Sequence, residues 1–281
     1  MKNIIVNNCS NPQYEAIFND FLSEVFGISF APWFERKLWD RRYESYSIIK
    51  EEKMLANVCI FKTELLIRGR RVLANQFCAV GTRKCARGKG FSRLLMEHVL
   101  ALYPNTPAYL FANSKVLDFY PRFGFQPIQT YRPVISVKIN NDQAKAVKIS
   151  VEAAASSLGS RGAYSDTIDC LNTIPVQIFH LLMNYSDDIY RLPVRDIIVV
   201  AKQKGAKLFI ADIILKEPVP FEQIGEHLPF ADIDTVEFGF TPDWLNVTPY
   251  WESVDINSVP FFVKSNLDIP IIFRFPAMSE T

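Results

Sequence analysis

The 281-residue sequence lacks paired cysteines, long apolar runs and a strong net charge, and each absence excludes a class of protein. Its five cysteines are odd in number and include no Cys-x-x-Cys pair, which favours reduced thiols over a disulfide framework. No apolar segment approaches the roughly 20 residues that a membrane-spanning helix needs, and no signal-peptide pattern opens the sequence. We therefore expect a cytoplasmic protein with no membrane partner.

Charge and histidine content narrow the function further. Lys and Arg total 31 against 30 Asp and Glu, a net charge of +1, so no global positive field favours nucleic acid as a partner. The three histidines, His98, His180 and His227, are scattered without metal-ligand spacing, so no metal site is predicted. The sequence also has no Gly-x-Ser-x-Gly elbow, and a serine hydrolase is unsupported.

Hydrophobic periodicity predicts two mixed units along the chain. Strand-like runs between residues 46 and 80 suggest an antiparallel meander, and apolar spacing over 90–103 predicts an amphipathic helix. The pattern also predicts a helix from residue 32 to about 39 and strands from 125 to about 139 and at 271–275. Residues 140–165 are poor in aromatics and carry loop signals. We predict a first domain at 1–140, a linker at 141–164 and a second, smaller α/β domain at 165–281. The predicted fold class is α+β with a mixed sheet.

A glycine-rich turn, Arg87-Gly88-Lys89-Gly90-Phe91-Ser92, connects a predicted strand to the amphipathic helix. A helix N-terminus offers unpaired N–H groups and partial positive charge, and glycine lets a ligand approach the backbone closely. The turn therefore suits a pyrophosphate, with Arg83, Lys84 and Arg93 adding local positive charge. Taken alone, it could equally be a plain connector. It is neither a Walker A loop nor a complete Rossmann fingerprint.

The pattern Arg87-x-x-Gly90-x-Ser92 resembles the Arg/Gln-x-x-Gly-x-Gly/Ala motif of GNAT N-acetyltransferases, with Ser92 departing from the usual Gly or Ala. Residues 113–125 resemble the later Asn…Phe-Tyr…Gly-Phe segment of the same family. The two elements occur in order, separated by a predicted helix and strand. The resemblance covers roughly residues 3–138 and implies a GNAT-like acyl-CoA N-acyltransferase fold.

The resemblance implies acetyl-CoA as the cofactor and a small-molecule or protein amine as the acceptor, which attacks the acyl carbonyl directly. Asn113 would contact the cofactor, and Phe119 would pack beside it. Tyr120 is the predicted catalytic residue, because its hydroxyl can protonate the leaving thiolate of CoA; the alternative is a core aromatic. The implied cofactor-binding residues are Phe77, Cys78, Ala79, Val80, Arg87, Gly88, Lys89, Gly90, Phe91, Ser92, Asn113 and Phe119. Of these, the strand stretch Phe77 to Val80 would pair with the pantetheine arm through main-chain hydrogen bonds, and Cys78 is expected to be a small buried strand residue rather than a nucleophile.

The acceptor side is less defined. An aromatic cluster in the first two predicted helices could line the acceptor pocket or belong to the core; it comprises Phe30, Trp33, Phe34 and Trp39. Among the residues near the expected acceptor cleft, Glu64 is the only carboxylate, and a solvated turn residue is the favoured interpretation. No general base is assigned.

The second half has no second phosphate turn, although its predicted strands partly follow the order of the first half. We hypothesise a degenerate second GNAT-like unit that completes the acceptor cleft or forms a homodimer interface. The main hypothesis for the whole chain is an acetyl-CoA-dependent N-acetyltransferase. The alternative is a non-catalytic acyl-CoA-binding or sensing module.

Overall fold

The computed structural model describes residues 3–140, 146–258, 260–264 and 267–281. In the first part of the chain, an Asn11 cap and a proline at its first position begin the first helix, which ends at Gly27 in a left-handed conformation. The elements there are β1 (Ile5–Asn7), α1 (Pro12–Phe26), α2 (Ala31–Glu35), β2 (Tyr43–Lys50), β3 (Lys53–Ile67), β4 (Arg70–Thr82), α3 (Phe91–Leu102), β5 (Ala108–Phe111), β6 (Gln126–Ile128) and β7 (Tyr131–Ile139).

The remaining part of the chain repeats the alternation of strands and short helices. None of the helices in the described residues is both long and apolar enough to cross a membrane. The elements are β8 (Val147–Lys148), α4 (Val151–Ala155), β9 (Ile168–Leu171), α5 (Ile174–Met183), β10 (Ile189–Arg191), β11 (Ile198–Lys204), β12 (Lys207–Ile214), α6 (Phe221–Gly225), β13 (Ile233–Phe238), β14 (Tyr250–Ser253) and β15 (Phe261–Lys264).

The described strands form two mixed sheets. The first sheet has the order β1-β2-β3-β4-β5-β15-β6. Strand β9 belongs to the same sheet and pairs with the last four residues of β3, Glu64 to Ile67. The second has the order β14-β7-β13-β12-β11-β10-β8. Each contains one parallel pair, β4 with β5 and β12 with β13, among antiparallel neighbours. The predicted α+β fold class with a mixed sheet is confirmed.

The two sheets share one strand order. In each, four antiparallel strands lead to a parallel pair whose connection contains a helix, α3 in the first sheet and α6 in the second. The next strand in each sheet comes from the other part of the chain: β15 lies between β5 and β6, and β7 lies between β13 and β14. This shared order supports the predicted second GNAT-like unit, which stays a prediction.

Each sheet contains strands from both sides of the predicted domain boundary. The domain bounds themselves stay a prediction. β7 pairs in the second sheet, whereas β9 and β15 pair in the first. The predicted linker contains β8 and α4, and its residues 141–145 lie outside the described residues. A single strand was expected from residue 125 to about 139, but this stretch forms β6 and β7 on different sheets.

Several predicted element bounds are wrong for a common reason: short apolar runs fit more than one structure. The predicted helix from residue 32 to 39 ends at Glu35, and the predicted strand at 271–275 is irregular chain. Conversely, β9, β10 and β14 were not predicted. These strands have three or four residues and depend on neighbouring strands rather than on their own pattern.

Helix α5 joins the hydrophobic cores of the two sheets. Its Val176 and Phe179 pack with α1 and α2 against the first sheet, while Ile178 and Leu181 belong to the core of the second. On the opposite face of the first sheet, α3 packs against β2, β3 and β4. Helix α3 and the helices α1 and α2 therefore cover opposite faces of one sheet.

A buried ion triad also connects the two sheets. The Arg161 guanidinium contacts Asp212 on β12 at 2.9 Å and Asp169 on β9 at 3.5 Å. Burial by itself lowers the pKa of Arg161, but the two carboxylates outweigh it and raise that pKa, so the guanidinium stays charged. Burial raises the pKa of Asp169, and Arg161 opposes that shift. Removing the arginine would leave two carboxylates buried without a cation.

We expect Arg161→Met to lower the free energy of unfolding by about 3–5 kcal/mol, as is typical when one member of a buried ion network is removed. Urea unfolding followed by circular dichroism measures the change. Arg36→Met is the control and should change stability little, because its partner Glu152 is exposed to solvent. Equal stability losses in both variants would contradict a structural role for the triad.

Candidate functional site

The four predicted residues of the pantetheine strand, Phe77 to Val80, lie near the end of β4. Pairing of β4 with β5 covers only Asn75–Phe77. Beyond Phe77, no strand of the described chain pairs with β4 on that side. The two parallel strands thus separate where the predicted residues begin, and an edge of main-chain donors and acceptors is left for a ligand.

A β-bulge interrupts β4 at this point. Cys59 pairs with Cys78 and Asn57 with Gly81, so Val58 of β3 faces two residues of β4, Ala79 and Val80. Ala79 has φ +46°, a left-handed conformation that is unusual for a residue with a Cβ atom. The bulge was not predicted, because the sequence here is an unbroken strand-like run.

The predicted anion site is an open turn at the N-terminus of α3. Gly88 and Gly90 have φ of +76° and +75°, and a Cβ atom at either position would meet no atom within 4 Å. Gly90 is also the N-cap, and no side chain caps the helix. The first-turn N–H groups of this 12-residue helix therefore face a turn of left-handed glycines with open space around it. This arrangement fits a pyrophosphate.

Two contacts of Thr82 tie this turn to the end of β4. The Thr82 hydroxyl lies 2.6 Å from the Ser92 hydroxyl in the first turn of α3. The Arg87 Nε donates to the Thr82 carbonyl at 3.3 Å. Ser92, the position that departs from the family pattern, thus has a specific role: its hydroxyl joins the helix to the strand.

The expectation that Arg83 adds free positive charge to the turn is wrong. Its guanidinium is fully buried beneath α1, where it forms ion pairs with Asp20 and Glu24, and its Nε donates to the Met54 carbonyl at 2.7 Å. Its charge is therefore neutralised locally. The exposed cations at the turn are instead Lys84, Arg87, Lys89 and Arg93.

Asn113 and Phe119 flank the other side of the opening, after β5. Asn113 is exposed and caps the following 3-10 turn, its side chain accepting from the Lys115 N–H at 2.9 Å. Its Oδ1 is thus engaged locally. Phe119 is half-buried, and its ring centroid lies 5.2 Å from that of Tyr120. The roles of both residues toward a cofactor stay predictions.

Tyr120 begins a 3-10 turn, and its ring is buried. Its ring packs on Phe125 and on Phe262 of β15, and within the described chain no hydrogen bond reaches its hydroxyl. Burial, with a smaller effect of the neighbouring Cys78 thiol, raises the pKa of Tyr120 to about 12. The hydroxyl therefore keeps its proton at neutral pH.

Cys78 lies beside Tyr43 and Cys59 rather than beside a base. Its Sγ is 3.8 Å from the Tyr43 hydroxyl, and it also contacts the Cys59 thiol. Burial raises the pKa of Cys78 well above its usual value. A protonated buried thiol is a poor nucleophile, which agrees with its predicted role as a strand residue.

The aromatic residues that could line the acceptor pocket are mostly core. Trp33 and Trp39 are 3% and 4% exposed, and both pack against Tyr43 of β2. The Trp33 indole donates to the Pro175 carbonyl at 2.8 Å, which anchors α2 to α5. Glu64 pairs with Arg71 at 3.2 Å and accepts from Asn172 at 3.0 Å, so its carboxylate has a structural role.

Sequence reasoning missed the contribution of the last residues of the chain to this site. Lys264 of β15 donates to the Phe123 carbonyl at 2.6 Å and so supports the turn that carries Tyr120. Gln76 of β4 can bond Ser279 and Thr281, at 3.2 and 3.0 Å, when its amide oxygen faces the donors. No local signal in the sequence identifies these partners, because they lie over 100 residues away.

A surface depression elsewhere contains none of the predicted residues. It is lined by Arg68, Gly69, Asp166, Thr167 and Pro270. Arg68 and Gly69 form the turn between β3 and β4, whereas the glycine turn follows the other end of β4. The depression therefore lies far along the sheet from the glycine turn.

Comparisons with known proteins agree with this geometry. A family model described as an acetyltransferase (GNAT) domain matches residues 10–128. In a comparison with curated proteins, nothing matches the chain.

Among solved structures, the chain is similar to a probable N-acyltransferase from Enterococcus faecalis (TM-score 0.56, 12% identity, 93% of this chain and 72% of that one). GCN5-related N-acetyltransferases are also similar. The one from Kribbella flavida has a TM-score of 0.56 and 13% identity, over 93% of this chain and 70% of that one. The one from Anabaena variabilis has a TM-score of 0.55 and 14% identity, over 93% of this chain and 72% of that one. At such low identity these likenesses establish the fold alone. The family model spans α1, the glycine turn and the Tyr120 segment, so residues 10–128 match an acetyltransferase (GNAT) domain.

Proposed function

We propose that this acyltransferase moves an acetyl group from acetyl-CoA to an amine by direct attack. The observation that carries the proposal is the uncapped N-terminus of α3, reached through two left-handed glycines, beside the unpaired edge of β4. An anion-binding turn and a main-chain edge in this order suit a long ligand with a diphosphate at one end and an amide-containing arm.

The chain holds the two ends of the cofactor by different means. The turn from Arg87 to Ser92 would bind the diphosphate through main-chain N–H groups, and the exposed cations around it would add attraction. Residues 77–80 would bind the pantetheine arm by strand-like hydrogen bonds. Acetyl-CoA supplies an activated thioester. The protein's part is then to orient the ligand and to supply a proton.

Tyr120 is the proposed proton donor. In the reaction the amine nitrogen bonds to the acyl carbon, the carbon–sulfur bond breaks, and the sulfur takes a proton. The Tyr120 hydroxyl holds its proton at neutral pH and has no partner in the described chain, so it is free to donate. The attacking nitrogen must also lose a proton, and we assign no residue to that step. The acceptor is proposed to be a small-molecule or protein amine.

The second half is proposed to be a degenerate GNAT-like unit that binds no CoA. Its sheet has the strand order of the first, but the helix between its parallel strands, α6, spans only five residues and follows no glycine turn. Its β15 completes the first sheet and packs on Tyr120. Support of the catalytic half is therefore the role that its contacts favour.

We expect Gly90→Ala to weaken CoA binding about tenfold or more. A left-handed conformation costs a residue with a Cβ atom roughly 1–2 kcal/mol, so the turn relaxes and its N–H groups move. Calorimetric titration with CoA measures the change.

Gly205→Ala is the matched control. Gly205 lies in the turn between β11 and β12 with φ +61° and open space around it, so the same substitution causes similar strain away from the site. It should lower stability and leave the Kd for CoA unchanged. Equal Kd values in both variants and the parent would overturn the proposed diphosphate site.

We expect Tyr120→Phe to lower kcat about 100-fold, the size typical of a lost general acid, while the Kd for CoA stays the same. Because burial keeps the hydroxyl protonated until about pH 12, the loss of kcat should not depend on pH near neutrality. Release of free thiol from acetyl-CoA, with a panel of amines, is the assay.

Tyr185→Phe is the control, since burial also raises the pKa of Tyr185 to about 12 but this residue follows α5 in the second half. An unchanged kcat in Tyr120→Phe would remove Tyr120 from the mechanism. If the parent protein binds CoA but releases no thiol with any amine of the panel, the non-catalytic acyl-CoA-binding module is favoured instead.

A further inference from the structure

The bulge in β4 requires an explanation, because it holds an alanine in a conformation that favours glycine. Ala79 has φ +46° and lies among the residues predicted to bind the pantetheine arm. Local sequence does not favour this geometry, since the run Phe77-Cys78-Ala79-Val80 suits a regular strand. A contact from elsewhere must therefore hold Ala79 in place.

Asn57 of β3 makes that contact. Its Nδ2 donates to the Ala79 carbonyl at 3.0 Å and to the Cys59 Sγ at 3.1 Å. Its Oδ1 accepts from the hydroxyls of Ser45 and Ser47, at 2.6 and 2.9 Å. Both donors and both acceptor positions of the amide are thus used, and the side chain is fully buried. An amide with all four bonds made has one orientation.

The network continues from Asn57 to helix α1. The Tyr14 hydroxyl lies 2.7 Å from the Ser45 hydroxyl and also contacts that of Ser47. The chain of bonds therefore runs from α1 through β2 and β3 to the main chain of β4. Each polar group in it is satisfied, so the network is stiff and has little freedom to rearrange.

Fixing the Ala79 carbonyl fixes more than one atom. The described peptide bonds include none in the cis form, and a trans peptide is planar with its C=O and N–H in opposite directions. The Val80 N–H is consequently oriented by the same contact. Main-chain groups on both sides of the bulge are thus set by one side chain on the neighbouring strand.

We propose that Asn57 is a positioning residue for acyl transfer: it holds the bulge at Ala79 and so orients the main-chain groups that receive the thioester end of acyl-CoA. The inference rests on the proposed function for the identity of the ligand. Asn57 reaches β4 from the sheet face that α1 covers, whereas the diphosphate turn lies beyond Thr82. Loss of Asn57 should therefore affect turnover more than CoA binding.

Asn57→Asp tests this, because it keeps the acceptor oxygen and the shape while it removes the donor to Ala79. We expect kcat with acetyl-CoA to fall at least tenfold and the Kd for CoA to change less than threefold. Amide hydrogen exchange of residues 79 and 80 in the full-length protein should become faster. Asn57→Leu is a second variant that carries no charge.

Rescue separates positioning from general damage. Ala79→Gly added to either Asn57 variant should restore most of the lost kcat and slow the exchange, because glycine adopts φ > 0 without a holding contact. Asn7→Asp is the matched control: it removes a similar donor, from the buried Asn7 to the Cys9 carbonyl at 2.8 Å, in β1 at the edge of the sheet, so kcat should stay near that of the parent.

The outcomes also separate this inference from the proposed function. If the parent binds no CoA, the proposed function fails, whatever the variants do. If the parent binds and turns over, but Asn57→Asp retains kcat and exchange rates, the inference fails alone. The inference is also overturned if the Asn57 variants lose thermal stability and Ala79→Gly does not restore their kcat, since Asn57 would then be only a core residue.

Discussion

The separation of β4 from β5 after Phe77 is the constraint on which the remaining structure of the site depends. A parallel pair that stayed together would satisfy its own hydrogen bonds and leave nothing for a ligand. Here the bulge at Ala79 turns the strand, and α3 begins beyond Thr82 at an uncapped N-terminus. The unpaired edge of β4 and the helix N-terminus without a side-chain cap are next to each other because one strand leads directly into one turn.

The part of the chain that matches the GNAT family model depends on the second half for its completion. β15 supplies a strand between β5 and β6, places Phe262 against Tyr120, and bonds Phe123 through Lys264. β7 makes the reverse exchange into the second sheet. Because each sheet lacks a strand without the other, the halves are interlocked, and α5 and the Arg161 triad add packing and charge across the same boundary.

Buried polar groups divide into two kinds in this protein. Some connect elements and are fully satisfied, as with Asn57 between its serines and Ala79, and Arg83 between two carboxylates of α1. Tyr120 is of the other kind: its ring is buried, but no hydrogen bond from the described residues reaches its hydroxyl. That hydroxyl is therefore left for a ligand. This contrast sets Tyr120 apart from the structural tyrosines around it.

The sequence by itself determined the features that local chemistry dictates. The glycines at 88 and 90, the amphipathic pattern of α3 and the Tyr120 segment predict a turn, a helix and their order, and the structure has all three. Tertiary structure alone decided which partners these elements meet. The burial of Arg83, the strands β7 and β15 in each other's sheets, and the bond from Asn57 to Ala79 join residues 22 or more positions apart. Such contacts follow from sheet register and packing, which no short window of sequence encodes.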